Sequence, residues 1–450
     1  MEGRETGAHP IHTKRGEPLP VAILGAGPIG LTAALHLMAR GERAVIFEAG
    51  ERPGAAIRKW GHVRMFPPWS QLMDPLARDA LEATGWSPPD PDGVPTGQEF
   101  LESYLEPLAE LPAVQAALRL GHEVTGVGRE VADKVRGDPR AASAFELVVE
   151  RRRGSAGGSL KALGLSIHRR AKAVLDASGA FHQPNPLGSN GLPAEGEEDA
   201  GEQVFYGIPN PTSEDHLRYA GKRVAVVGNG DTALNALLAL DAVAREEPAT
   251  RLTWVVRGEP IAAPEEAHAG HALPERWRLR QRAWDIVNGG RAELVRRFRV
   301  RALRWVGSTV LLQDGDREIG PFERVVAATG SRPDLGMLRE LRLTLDPRLE
   351  CPSRLAPLID PDIHTCETVR AHGYEELRHP EPGFFVVGMK SYGRSPGFLL
   401  STGYRQIQSV VSALVGDMAG AQVEPASNHT AGACSASTAQ SASDGGTCCG

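Results

Sequence analysis

The sequence predicts an α/β protein that contains two βαβ units. Two observations carry this. A short apolar run, a glycine-rich turn, a helical pattern and a second apolar run occur in that order twice, near the start of the chain and near its middle. Further strand-like runs follow near the end of the chain.

The first unit reads as strand Val21–Leu24, a turn, helical periodicity through Arg40 and strand Ala44–Phe47. The second reads as strand Arg223–Val227, a turn, a helix from Asp231 to Leu240 and strand Leu252–Val256. Between them lie a proline-rich stretch from Trp86 to Pro95, a basic, glycine-rich stretch from Arg151 to Gly158 and a short strand Ala173–Asp176. Arg276 to Arg304 is arginine-rich and helical in pattern, and strands Thr309–Gln313 and Arg324–Ala328 follow. A last strand, Gly383–Val387, leads into a helix from Gly397 to Leu414. The remaining tail is Ala, Ser, Thr and Gly with three cysteines, too poor in large apolar groups to offset ordering entropy, so disorder is expected there. The expected domain boundaries fall at 18–215, 216–324 and 325–424, with 425–450 as the tail.

Composition narrows the function classes. With 41% hydrophobic and 24% charged residues in 450, the chain is expected to bury the cores of two domains. A net charge of −6 argues against nucleic acid or an anionic membrane as partner. No apolar run approaches the roughly 18 residues of a spanning helix, and Met1 to Glu17 lacks the apolar centre of a signal peptide, so a cytoplasmic location is expected. Five cysteines are too few for a disulfide framework.

The first turn is Gly25-Ala26-Gly27-Pro28-Ile29-Gly30, placed between strand and helix, and Glu48 ends the second strand. A dinucleotide needs that arrangement. Glycines let the backbone reach the pyrophosphate, the helix N-terminus offers free N–H groups, and the acid accepts ribose hydroxyls. The second turn is Gly228-Asn229-Gly230-Asp231-Thr232-Ala233, and its second strand ends in Arg257. A guanidinium there favours the 2′-phosphate of NADPH, the alternative being a solvated surface charge.

Three further segments complete the pattern: Asp176-Ala177-Ser178-Gly179 followed by Pro184 and Pro186, Ala328-Thr329-Gly330-Ser331-Arg332-Pro333-Asp334, and Val386-Val387-Gly388-Met389. On these residues the chain, from Val21 to Leu414, resembles the two-dinucleotide-fold flavoproteins, particularly flavin-containing monooxygenases and thioredoxin-reductase-like pyridine nucleotide oxidoreductases. The resemblance implies two Rossmann-like dinucleotide-binding domains, with the NADPH domain inserted in a discontinuous FAD domain. It implies FAD contacts at Gly25, Gly27, Pro28, Ile29, Gly30, Glu48, Ser178, Gly179, Thr329, Gly330, Gly388 and Met389, and NADPH contacts at Gly228, Gly230, Asp231, Thr232 and Arg257. Met389 stands where such families carry an aspartate. Lys390 and Arg394 beyond it are either a charge site for the flavin or an ordinary solvated loop.

Two departures bear on activity. The redox cysteine pair of the disulfide reductases is absent from both regions that carry it, and Phe205, Gly207 and His216 only echo the monooxygenase signature, at different spacing. The flavin would then carry the chemistry, with NADPH as hydride donor and a flavin hydroperoxide oxygenating a small soft nucleophile of sulfur, nitrogen or As(III). A reductase serving a partner protein and a redox sensor are the alternatives, and no catalytic side chain is named. Arg64, Phe66, Trp69 and Ser70 in the segment His62–Gln71 are either a wall of the flavin site or core. His268 and His271, near Glu265 and Glu266, read better as a surface loop than as metal ligands. The tail cysteines Cys434, Cys448 and Cys449 are either part of an incidental low-complexity tail or soft ligands for Hg(II) or As(III), with Cys351 and Cys366 as internal acceptors or small core residues, and only the second reading would carry a role in arsenic resistance. A homodimer is left open.

Overall fold

The structure, a computed structural model, describes residues 18–135, 140–151, 166–213, 215–262, 273–364 and 369–423. Its strands in chain order are β1 (Val21–Leu24), β2 (Ala44–Phe47), β3 (Leu118–Arg119), β4 (His122–Arg129), β5 (Phe145–Arg151), β6 (Ser166–Ala171), β7 (Ala173–Asp176) and β8 (Val204–Tyr206). There follow β9 (Arg223–Val227), β10 (Arg251–Val255), β11 (Ala292–Val295), β12 (Ala302–Val306), β13 (Thr309–Asp314), β14 (Arg317–Phe322), β15 (Arg324–Ala327) and β16 (Phe384–Val386).

β1 and β7 are apolar in nearly every position and buried throughout, the mark of strands covered on both faces, and both sit inside a parallel sheet ordered β16-β7-β1-β2-β3. The helix Pro28–Ala39 follows β1 and is buried from Ile29 to Leu37. It is covered by the sheet and by the helix Leu400–Leu414, in one core that also holds Trp69, Phe100 and Tyr104. The second parallel sheet is ordered β11-β10-β9-β15-β8, with the helices Asp231–Glu246 and Pro274–Asn288 packed together beside it. Two antiparallel three-stranded sheets, β4-β5-β6 and β12-β13-β14, flank the units. Arg129 and Arg140 converge on Glu381 at 2.8 and 2.9 Å, all three side chains almost wholly buried, and tie the first small sheet to the approach of β16.

One expectation is corrected, and two others meet the strand pairing and the side-chain packing. Arg276 to Arg304 is not one helix: the helix ends at Asn288, where Gly289 and the left-handed Gly290 (φ 70°) stop it, and β11 and part of β12 follow. The expected boundaries at 215 and 325 cut through the second sheet, because β8 and β15 pair with each other and β15 with β9. The segment His62–Gln71 is divided between two environments: Trp69 lies in the first core, 5.9 Å from the Phe100 ring, whereas Phe66 packs against the core of the second unit. Among the described residues no helix is long and apolar enough to cross a membrane. The tail cysteines, Cys366, and His268 and His271 lie outside the described residues.

Candidate dinucleotide sites

The first turn is shaped by its glycines. Gly25 has φ 99°, and a Cβ there would meet the Ala177 carbonyl oxygen at 2.8 Å. A Cβ on Gly30 would lie 1.9 Å from the Gly25 carbonyl oxygen, so helix and strand close tightly only over hydrogen. At Gly27, the N-cap, a Cβ would meet nothing within 4 Å, which leaves a cradle at the helix N-terminus that a pyrophosphate can enter. Pro28 opens the helix at a position where a missing N–H costs nothing. The Glu48 carboxylate accepts from the backbone N–H of Ala26 and of Gly50, both at 2.7 Å. It is thereby fixed beside the turn, with lone pairs left to accept from the hydroxyls of a ribose. The residues fit an adenine dinucleotide.

The crossing segment Ala177-Ser178 lies directly against Gly25. Here the structure brings together a group that the sequence reading divided. The Lys390 ammonium donates to Asp176 Oδ2 at 2.6 Å and to Ser178 Oγ at 3.0 Å, and the Lys390 and Asp176 side chains are fully buried. The Ser178 hydroxyl in turn donates to Asp176 Oδ1 at 2.6 Å, and the Ser178 N–H does so at 3.1 Å. With its single proton given to Asp176, the Ser178 hydroxyl has none left to donate to a cofactor. Lys390 is therefore neither a solvated charge nor a direct cofactor ligand. It is the counter-ion that makes a buried Asp176 tolerable. Arg394 is exposed, 4.0 Å from Glu350.

Gly388, left-handed at φ 69°, packs on Ile29 and donates its N–H to Gln406 at 2.8 Å. Gln406 also donates to Ser391 and meets His372, whose burial holds its pKa below the usual histidine value. Met389 is half-buried beside this network.

The second crossing is stitched to the first. The Thr329 hydroxyl donates to the Asn185 carbonyl, Asn185 returns bonds to Thr329 and Gly330, and Arg332 donates to the Asn185 side chain at 3.0 Å. The Thr329 hydroxyl is thus given to the other crossing. An open groove of about 500 Å³ lies beside this junction, lined in part by Gln183, Leu192, Tyr206 and Arg332.

The second turn repeats the backbone geometry. Gly228 has φ 148°, a Cβ there would meet the Ala328 carbonyl oxygen at 2.2 Å, and at Gly230 a Cβ would meet nothing within 4 Å. The loop is braced by Trp254, which donates to the Gly228 carbonyl at 2.8 Å. Asn229 braces it too, donating to the Glu259 carbonyl and accepting from the Ile261 N–H. Arg257 stands exposed after β10, and the neighbouring Glu259 is paired with Arg297 at 2.7 Å. Asp231 and the half-buried Thr232 begin the helix, and Asp231 Oδ2 accepts from Arg276 Nε at 2.8 Å. Asn185, Arg276 and the burial of Lys390 were not anticipated; each depends on a partner distant in sequence.

Cys351 is fully buried in the first core, and burial pushes its thiol up to about 12. It is a protonated core residue rather than an acceptor thiolate. Among the described residues no group of three His, Cys, Asp or Glu is arranged to hold a metal.

Comparison with known proteins agrees with this geometry. Residues 20–185 match the family model described as FAD dependent oxidoreductase. A ferredoxin–NADP reductase of Salinispora tropica is 25% identical over 329 residues, covering 73% of this chain and 79% of the relative. Two solved structures share the fold. One is a bacillithiol disulfide reductase from Bacillus cereus, with a TM-score of 0.64, 17% identity and coverage of 89% of this chain and 99% of that one. The other is a flavin monooxygenase from Stenotrophomonas maltophilia, with a TM-score of 0.54, 21% identity and coverage of 89% and 98%. With the glycine cradle of its first turn and the two parallel sheets, the chain is an FAD-dependent oxidoreductase built on two Rossmann-like units.

Proposed function

We propose that the protein is an NADPH-dependent monooxygenase of a small soft nucleophile of sulfur, nitrogen or trivalent arsenic. NADPH, a proton, dioxygen and substrate give NADP⁺, water and the substrate bearing one oxygen atom. FAD, when bound, supplies the two-electron chemistry between nicotinamide and dioxygen. The chain's residues supply the seats. Gly27 and Glu48 receive the FAD pyrophosphate and ribose, the Asp176–Ser178–Lys390 ring fixes the crossing beside them, and Gly230 and Arg257 receive the NADPH pyrophosphate and 2′-phosphate.

The observation that carries the reading is the pair of open glycine cradles at strand–helix junctions, one beside a carboxylate and one beside a guanidinium. Cys351, the cysteine among the described residues, is buried and protonated, so no dithiol relay is available there. A second reading, a reductase passing electrons to a protein acceptor, is favoured by the similarity to ferredoxin–NADP reductase. The tail cysteines Cys434, Cys448 and Cys449 are proposed to deliver As(III) or Hg(II) in either case.

The test is turnover of the FAD-loaded protein with NADPH and isotope-labelled dioxygen in the presence of a sulfide, an amine or arsenite. Label in the product supports the monooxygenase. Turnover that needs an added ferredoxin and leaves every product unlabelled replaces it with the reductase.

A further inference from the structure

We propose that His372 makes the flavin seat at Gly388 respond to protons: its neutral ring orients the Gln406 amide that holds Gly388, and its protonated ring turns that amide away. This rests on reading Gly388 as part of the FAD seat.

The network around Gln406 has one consistent set of protons. The Gly388 N–H donates to Gln406 Oε1 at 2.8 Å, so the amide oxygen faces the glycine and the amide nitrogen faces the other way. That nitrogen lies 3.0 Å from Ser391 Oγ and 3.0 Å from His372 Nε2, and its two protons serve one each. Ser391 accepts because it gives its own proton to the Gly388 carbonyl at 2.7 Å. His372 Nδ1 lies 2.9 Å from the Arg370 carbonyl, which can only accept. Nδ1 therefore carries the ring proton, Nε2 is bare and the ring is neutral. His372, Gln406 and Ser391 are at most 1% exposed, so bulk water offers them no substitute partner.

A second proton on His372 sets two donors, Nε2–H and the Gln406 amide, against each other at 3.0 Å. Turning the amide over relieves this, but the turned amide presents NH₂ to the Gly388 N–H. Gly388 is left-handed at φ 69° and packs on Ile29, in the first turn of the helix behind the first glycine turn, so the disturbance reaches the cradle. Few charges act on the ring. Burial is the largest influence and holds its pKa below the ordinary value, while Glu376 of the short helix Tyr374–Leu377, itself held by the Gly373 N–H at 2.9 Å, opposes it. On the turn Gly388–Tyr392, Lys390 is committed to Asp176, and the Tyr392 ring lies 5.6 Å from the imidazole. On the helix Leu400–Leu414, Arg405 is exposed. A histidine kept neutral in the folded state leaves the seat intact above about pH 6.5 and weakens it as pH falls through that value.

The experiment measures FAD dissociation from the full chain between pH 7.5 and 5.5 by flavin fluorescence, beside an NMR titration of the histidine rings in the FAD-loaded protein. Wild-type protein is expected to bind FAD about tenfold more weakly at pH 5.5 than at pH 7.5. The His372 signal, identified by its loss in His372→Gln, should titrate below its ordinary value. His372→Gln keeps an acceptor for the Gln406 amide and takes up no proton, so its FAD affinity should match the wild type at pH 7.5 and stay level to pH 5.5. Gln406→Glu offers an acceptor to Gly388 and to a protonated ring alike, and it should abolish the fall and raise the His372 pKa. A fall that persists in either folded variant, or a wild-type affinity that is level across the range, overturns the relay and leaves the seat standing. Should His372→Gln misfold, Gln406→Glu decides the matter alone. If the wild-type protein binds no FAD at any pH, the seat fails and the relay with it.

Discussion

At the first glycine turn the acid that ends the strand pair is drawn into the backbone, with Glu48 accepting from Ala26 and Gly50, and the helix behind it is buried almost from end to end. At the second, the strand ends in the exposed Arg257, the helix opens with an ion pair, and the loop is braced by side chains of its own surroundings. The backbone cradle is the same in both; what differs is how much of each seat belongs to the core. A seat built into the core suits a cofactor that stays, and one lined by exposed charges suits a nucleotide that comes and goes each turnover.

The sharpest way to break that contrast lies behind the first turn. Lys390→Met leaves Asp176 buried and unpaired, and unfolding by denaturant should show a loss of about 3–5 kcal/mol together with loss of bound FAD. Adding Asp176→Asn should restore much of the stability. A loss below about 1 kcal/mol in the single variant would mean that water reaches the pair and the first seat is not core. Next is Gly30→Ala, whose Cβ would strike the Gly25 carbonyl; about 3 kcal/mol and the flavin should be lost. Gly230→Ala adds a methyl group to open space, so its melting temperature should hold while nucleotide binding weakens.

A smaller effect is expected of Arg257→Ala. Steady-state kinetics should show the NADPH-over-NADH preference falling about tenfold, almost wholly in KM, with FAD retained. Smallest of all, truncation before Ser427 should leave both seats and flavin reduction unchanged, while titration with arsenite or Hg(II) should show fewer sites. Unchanged metalloid binding would remove the tail from the account.

The two βαβ units were legible because their signals are local: continuous apolar strands, glycines at the strand–helix junctions and a charged residue at each strand end. Misreadings arose where partners are far apart. Lys390 sits among Gly, Ser and Tyr and reads as a surface lysine until Asp176, 214 positions away, closes on it. β8 and β15 belong to the second sheet only by their pairing with each other and with β9, which no local pattern announces. The helix after Pro274 was read too long because arginine suits helix and exposed strand alike, and the Gly289-Gly290 stop was the signal passed over. Arg276 was passed over inside an arginine-rich stretch, although Asp231, its partner, was already in the turn.

The central claim is that one chain seats FAD and NADPH so that hydride passes between them, and anaerobic stopped-flow reduction of the purified, FAD-loaded protein tests it most directly. The account predicts that NADPH bleaches the flavin at a rate that saturates with NADPH concentration, and that NADH does so only at higher concentration. A flavin that remains oxidised with both nucleotides would contradict it.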